Sequence, residues 1–456
     1  MRIKRYSGID RAIAFSVIGR GWSAFSGVVS VMLIARFLSP DQQGYYYTFS
    51  SLVALQIIFE LGFSFVILQL AAHERAHLTI HRDGRIEGAE VSQARMASVL
   101  QKSVRWYALA AAIMAVVLLG IGYQFFTKEG SAKGIFWQIP WLLVVLATSI
   151  TFQIDPIISF LEGCGQVVQV GRLRMTQGIA GSLLAWTALA LHRGLYAPAL
   201  IICGQAGAGI FFLSQNRNLL LRLMRMKPGI HSIKWSKEVW PFQWRVAVSW
   251  ASAYFIWQVL NPIVFAYRGS AEAGRLGMSL NIANSLGALA LTWMSTKASP
   301  FGALIARREF AELDKLFFRA LIQSSAILLG GIASLMLLYP VLFYFFPKYQ
   351  SRILPLPYFG IVLLTTACSH IVVSAAYYLR AHKKEPFLFF WVAIAIISGL
   401  SLLVLVRIWG TLGVVLGYFF CSGLLRMVSA IYLFRKKRLE WHTPDALNLE
   451  TSVGIS

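Results

Sequence analysis

Runs of about twenty apolar residues recur along this chain from end to end, and a run of that length is enough for a helix to cross the hydrocarbon core of a bilayer. Candidates lie at 13–37, 45–71, 104–126, 138–161, 174–192 and 195–215, then at 242–267, 274–296, 317–346, 353–379, 386–408 and 411–434. The pattern predicts an all-α, polytopic membrane protein of about twelve spans in two six-helix lobes. The lobes are 1–215 and 241–438, with a basic cytoplasmic linker at 216–240 between them and a disordered tail at 439–456. Composition agrees. Hydrophobic residues make up 57% and charged residues only 13%, against about 25% charged in soluble domains. Fourteen Trp and 17 Tyr suit aromatic belts at the two membrane surfaces.

The net charge of +23 raises a nucleic-acid reading. That reading fails because the Lys and Arg sit in short clusters between apolar runs and form no contiguous basic domain. The same clusters set the orientation. With both termini inside, cytoplasmic segments hold 31 of the 42 basic residues, outward loops hold nine, and Arg20 and Arg426 fall within spans. The positive-inside rule then predicts N-in, C-in. The basic start, MRIKRYSGIDR, leads into an apolar stretch too long for a signal peptide, with no small-residue cleavage site, so it reads as a retained first span. Cys164, Cys203, Cys368 and Cys421 have no paired spacing, which argues against a disulfide frame or a zinc ribbon.

One short string points elsewhere. His73-Glu74-Arg75-Ala76-His77 fits the H-E-x-x-H pattern of zinc metalloproteases. As a continuation of the second span, it would put His73 and His77 on one helical face. Glu87 or Glu90 could be proposed as a third ligand, but His81, Arg82 and Arg85 surround them with basic charge. The simpler reading is a basic segment against an anionic lipid surface, with no metal.

The two halves echo each other. Ala35 to Tyr45 (ARFLSPDQQGY) and Ala266 to Gly274 (AYRGSAEAG) each give an Arg at a helix end, a polar turn and a Gly near the return helix. Repeated halves with a site between them are a transporter architecture, and two ordinary interfacial turns are the alternative. The stretch "ARFLSPDQQGYYYTFSSLVAL", followed by "FELGFSFVILQLAAHE", resembles the amino-terminal signature of polysaccharide flippases. These are the O-antigen (Wzx-type) transporters of the multidrug/oligosaccharidyl-lipid/polysaccharide exporter (MOP) superfamily, which also contains the MATE exporters. The family's "aRfLgpeeqGyy" turn corresponds to Arg36–Tyr46 and its "dlGf" element to Glu60–Phe63. "WPFQWRVAVSW" and "NPIVFAYRG" are similar to its second lobe, and the likeness extends over roughly residues 8–438.

The resemblance implies a MATE/flippase-like fold and alternating-access transport. The implied substrate is a polyprenyl-pyrophosphate-linked oligosaccharide, moved between leaflets of the bacterial inner membrane for surface polysaccharide or lipopolysaccharide biosynthesis. Membrane lipids would be its other partners. Proton or cation coupling, and contact with polysaccharide-assembly machinery, stay open. No cofactor is implied.

Ionisable residues inside spans are costly, so they usually face a cavity or a partner. The cations available to a pyrophosphate are Arg20, Arg245, Lys297 and Arg426. Arginine can grip phosphate through two N–H groups. For each of the four, snorkelling to the interface is the competing account. Glu60 could couple a proton or cation, or pair with Arg20. Asp155 could bind an ion, or satisfy backbone freed by a kink at Pro156. His370 lies mid-span, where it could titrate near neutrality or sit satisfied in the core. Gln258 with Asn261, and Asn281 with Asn284, are spaced to share helical faces. They could contact sugar hydroxyls or bond helix to helix.

Two other classes compete. Polymerases and ligases of O-antigen assembly are membrane enzymes, but they present a large periplasmic loop, and no outward loop here is long enough. A cation-coupled MATE exporter of small molecules usually carries a carboxylate in its first span. Here that position holds Arg20, and Asp10 lies before the span.

Overall fold

The computed structural model describes residues 3–81, 83–130, 134–238, 240–382 and 387–442. It divides into two compact units, 1–254 with 269–271 and 255–268 with 272–456. The tail beyond 442 lies outside the described residues.

The first unit is built from α1 (Ile3–Phe37), α2 (Pro40–Val53), α3 (Gln56–Glu60), α4 (Phe63–Arg75), α5 (Glu90–Gly130), α6 (Gln138–Gly163), α7 (Val167–Ala190) and α8 (Ala197–Gln215). Three further elements follow: α9 (Arg217–Arg225), α10 (Trp235–Glu238) and most of α11 (Trp240–Trp257). The second unit holds α12 (Leu260–Arg268), α13 (Ser270–Ser295, its first two residues counted with the first unit), α14 (Ala298–Ala306), α15 (Phe310–Phe345), α16 (Leu356–Ala381), α17 (Leu388–Trp409) and α18 (Thr411–Gly417). A π-helix over Tyr418–Leu425 leads from α18 into α19 (Arg426–His442).

All twelve apolar segments are helical. Among the described residues, eight helices are long and apolar enough to cross a membrane, and the bent pair Pro40–Glu60 with Phe63–Arg75 makes a ninth. The remaining three segments, α7, α11–α12 and α13, carry more polarity than that test allows, including Arg172 and Arg174, Gln243 and Gln258, and Asn281 and Asn284. The long helices leave apolar faces uncovered: Leu109, Ile113 and Val116 on α5, and Ile322, Leu329 and Leu337 on α15, are all exposed. Stripes of that extent belong against lipid. The protein is a multi-pass, all-α membrane protein.

Local chemistry explains the joints. Ser39 caps α2 through a capping box: its hydroxyl accepts from the Gln42 N–H, and the Gln42 amide oxygen accepts from the Ser39 N–H. Pro40 is preset for the first helical turn. The turn motif read from sequence is therefore a helix start. Tyr45 and Phe49 follow it into the core, where Tyr45 stacks on Phe126 at 5.3 Å between ring centres.

Helices α7 and α8 approach through glycine. A Cβ at Gly204 would lie 2.8 Å from the Gly181 nitrogen, so the two backbones nearly touch. Pro156 lies within α6, which runs on through it from Gln138 to Gly163. The core of the second unit is aromatic, with Phe301, Phe317, Tyr378 and Phe434 packed together. Tyr378 donates to Asp314 at 2.6 Å, and Arg438 holds the same carboxylate from α19.

The structure adds a small hairpin that the sequence did not suggest. Leu78–Ile80 pairs antiparallel with Ile86–Gly88, and His81 meets Glu87 at 3.1 Å beside it. Helix α4 therefore ends at Arg75, and His77 lies beyond it in a turn. The helical face proposed for His73 and His77 is a correction: their rings are 6.1 Å apart, and both side chains are exposed. Glu74 lies 3.8 Å from the His73 ring but has a stronger partner. It is 3% exposed and accepts from Arg95 at 2.7 Å.

Candidate functional site

Each unit carries one constellation of charge inside its helices. In the first, the chain breaks after Glu60. Leu61 and Gly62 both take left-handed backbone, at φ 53° and 68°, and the helices on either side meet at a bend of 44°. A leucine with positive φ is strained and needs support. Gln243, fully buried on α11, donates its amide to the Leu61 carbonyl that the break sets free. The "ELGF" element is thus the break itself, with its carboxylate on the last residue of α3.

Glu60 is half-buried and accepts a hydrogen bond from Ser64, one turn along on α4. Ser64 lies 3.4 Å from the Tyr107 hydroxyl. Asp155, on α6, is in electrostatic reach of Glu60 and Tyr107. Arg174 of α7 interacts with both carboxylates and stands 3.7 Å from Glu162. Arg174 is thus a cation in electrostatic reach of Glu60. Arg20, the partner suggested from sequence, is exposed on α1. Among the described residues no three acidic, His or Cys side chains group closely enough to hold a metal ion. What the cluster offers is two carboxylates and one guanidinium at a broken helix, an arrangement able to exchange a proton or a monovalent cation.

The second constellation surrounds Arg426. Its side chain is 3% exposed, and its guanidinium carbon lies 4.4 Å from the Trp391 ring centre and 4.7 Å from that of Trp257. Two indole faces stabilise a desolvated guanidinium by about 2 kcal/mol or more. They accept nothing along its edge, however, and both Nε and Nη1 are buried without a hydrogen-bond partner among the described residues. Leaving a charged donor unmet costs more than the ~1–3 kcal/mol of a neutral one. A second cation, Arg380, lies in electrostatic reach and adds to the positive field, while the neighbouring Tyr418 contributes a phenol. The π-helix ends at the residue before Arg426. Such insertions recur where a helix must change register to work.

The polar residues predicted alongside these divide. Asn281 and Asn284 are both exposed on α13, one turn apart. Gln258 and Asn261 do not share a face. Helix α11 stops at Trp257, Gln258 lies exposed in the turn, and α12 starts again at Leu260 with Asn261 buried. Pro262, which lacks an N–H, fits the opening turn of the new helix and cannot continue the old one. The Asn261 side-chain oxygen is buried without a partner among the described residues.

Lys297 is half-buried in the joint between α13 and α14. Arg245 lies on α11, and its side chain is outside the described residues. His370 is buried, with Nε2 3.0 Å from the Ser324 hydroxyl. Sequence reasoning passed over Arg174, Trp257 and Trp391. The first stands at the very start of the 174–192 run and was not weighed as an intramembrane charge, and nothing local marks the two tryptophans as a pair.

Solved structures with this arrangement of helices are membrane transporters. The MATE multidrug transporter DinF-BH, in a ligand complex, superposes with a TM-score of 0.61 at 16% identity, covering 94% of this chain and 96% of that one. The lipid II flippase MurJ, in an inward closed conformation, gives 0.59 at 13% identity over 97% and 92%. A MOP superfamily transporter from Pyrococcus furiosus, described as having a binding pocket of reverse polarity, gives 0.58 at 14% over 96% of each chain. The chain shares the fold of these solved structures. No protein-family pattern matches it in sequence, and no curated protein does either. At these identities the likeness concerns the fold, which MATE exporters and a lipid flippase share.

Proposed function

We propose that the protein is a flippase of the bacterial inner membrane. It moves a polyprenyl-pyrophosphate-linked oligosaccharide from the cytoplasmic to the outer leaflet by alternating access, for surface polysaccharide or lipopolysaccharide biosynthesis. The observation that carries the reading is Arg426, a buried guanidinium between two indoles with two nitrogens unmet. An exporter of organic cations has no use for a desolvated positive charge with Arg380 adding to it. A pyrophosphate has the oxygens that such an edge lacks, and arginine can bind it bidentately. Asn281 and Asn284, exposed on one face, offer hydrogen bonds to sugar hydroxyls, and Arg20, Arg245 and Lys297 are further cations for the head group.

The test is accumulation of lipid-linked oligosaccharide on the cytoplasmic leaflet. Cells lacking the protein should accumulate it, and the wild-type gene should clear it. Normal glycan export in the deletion strain would refute the reading.

A second reading has its own observation. Glu60 and Asp155 beside a helix break suit a cation-coupled MATE-type exporter. Under that reading, Glu60→Gln with Asp155→Asn should abolish proton- or sodium-driven efflux of a cationic dye from proteoliposomes. Under the flippase reading, wild-type proteoliposomes show no such efflux.

A further inference from the structure

A cleft of about 430 Å³ opens at the end of the first unit that the charge distribution assigns to the cytoplasm. One wall is α5, through Ser98, Gln101, Lys102 and Arg105, and the other is the end of α9 and the chain that follows it, with Arg225 and Lys227. Four cations line it, and no acidic residue does. Glu238, which Arg95 holds, feels the charge of Lys102. Arg105, Arg225 and Lys227 form no ion pair among the described residues.

The cleft is held open by its own walls. Gln101 donates one amide to the Leu223 and Met226 carbonyls, at 2.8 and 2.7 Å. The Ser98 hydroxyl accepts from the Ile233 N–H and meets the Ser232 hydroxyl at 3.1 Å, and Lys102 donates to the Ile233 carbonyl. These bonds fix the spacing of the cations before any ligand arrives, so ordering costs on binding are small.

The rim is apolar. Met224 lines the cleft and is exposed, Ile230, next in the chain to the lining Gly229, is 90% exposed, and the exposed Trp106 follows the lining Arg105. On α9, Leu219 and Leu223 pack inward while Arg217, Arg222 and Arg225 stay outside. The helix thus packs its apolar face on the protein and turns its cations outward. A soluble anion needs no greasy rim, but a headgroup with acyl chains does.

We infer that this cleft holds the phosphate of an anionic glycerophospholipid of the cytoplasmic leaflet, with its acyl chains leaving past Trp106 and Ile230. The site is separate from the transport reading and stands or falls without it.

The test uses the full-length protein in neutral detergent, titrated with short-chain phosphatidylglycerol, short-chain phosphatidylcholine and inorganic phosphate. Binding is read by native mass spectrometry. Phosphatidylglycerol should bind and phosphatidylcholine should bind more weakly. Inorganic phosphate at equal concentration should not displace the lipid. Removing cations should weaken binding about fivefold for each one lost, in Arg225→Gln with Lys227→Gln and, on the opposite wall, in Arg105→Gln alone. Arg435→Gln with Lys436→Gln, exposed cations on α19 of the second unit that the charge distribution also assigns to the cytoplasm, should bind as the wild type does.

Equal loss in that control pair would show diffuse attraction and overturn the site. Equal affinity for phosphatidylcholine would overturn the charge selection, and displacement by inorganic phosphate would make the ligand a soluble anion. Absence of lipid binding by the wild type would overturn the site outright.

Discussion

The Nε of Arg95 stands 2.7 Å from Oε1 of Glu74, and its Nη2 stands 2.6 Å from Glu238. One guanidinium thus ties the end of the second span to the segment that follows α9. Glu238 also accepts from the Lys234 N–H, and the bond from Arg95 holds its carboxyl below the usual range. The glutamate of the metalloprotease-like string is therefore an ion-pair residue held by Arg95, with the His73 ring 3.8 Å from the same oxygen.

This clasp makes the first prediction. Glu74→Ala should cost about 1–2 kcal/mol, because Arg95 stays partly hydrated and keeps Glu238. His73→Ala with His77→Ala should leave stability and export unchanged. A group whose folded pKa is depressed contributes stability that is present above its unfolded value and lost as pH falls through the folded one. The Glu238 part of the clasp should therefore be constant through the neutral range and fail only on acidification below the ordinary carboxylate value. Thermal unfolding of the three variants between neutral and acidic pH checks this, with Glu238→Gln removing the acid-dependent part.

The second prediction concerns orientation, which rests on charge distribution. Labelling sites should be exposed in the folded chain. Phe136 and Ile230 are 87% and 90% exposed, whereas Ser92 and Ser270 are buried. With Cys164, Cys203, Cys368 and Cys421 replaced, a cysteine at 136 should react with an impermeant maleimide outside intact cells. One at 230 should react only after the membrane is opened. The reverse pattern would invert the topology.

The third prediction is a matched pair of glycines. Gly204→Ala would put a methyl against the Gly181 backbone, which cannot move aside cheaply, and should cost about 1–3 kcal/mol. Gly207, one turn along the same helix, has open space where a Cβ would stand, and Gly207→Ala should be neutral or slightly stabilising. Thermal unfolding in detergent distinguishes the two.

What the sequence could disclose follows from how far each signal reaches. Apolar length is local, so all twelve segments were legible, as was the Ser39–Gln42 helix start. Breaks were harder to see. The Leu61–Gly62 reversal depends on Gln243, some 180 residues away, and Gln258 looked cofacial with Asn261 only while one helix was assumed to run through Pro262. The charged sites were half-legible. A lone carboxylate or arginine in an apolar run announces itself, but its partner does not. Arg174 comes into electrostatic reach of Glu60, and Trp257 and Trp391 meet Arg426, only through tertiary packing.

The last prediction separates stability from function at Arg426. A buried charge with unmet donors is paid for by the rest of the fold, and such residues persist where they do work. Arg426→Met keeps much of the volume between the two indoles and removes the charge. Replacing a buried charge by an apolar group of similar size is often neutral or stabilising, by about 1–4 kcal/mol in measured cases. The variant should melt no lower than the wild type, yet fail to clear lipid-linked oligosaccharide from the cytoplasmic leaflet. Arg426→Lys retains the charge and its contact with the rings but loses the bidentate edge, so it should export slowly at normal membrane levels. Arg426→Ala leaves a cavity between Trp257 and Trp391 and should lose both stability and export, which makes it the uninformative choice. Full export by Arg426→Met would remove the residue from the substrate path. A lower melting point for that variant would assign Arg426 to holding the indoles in place.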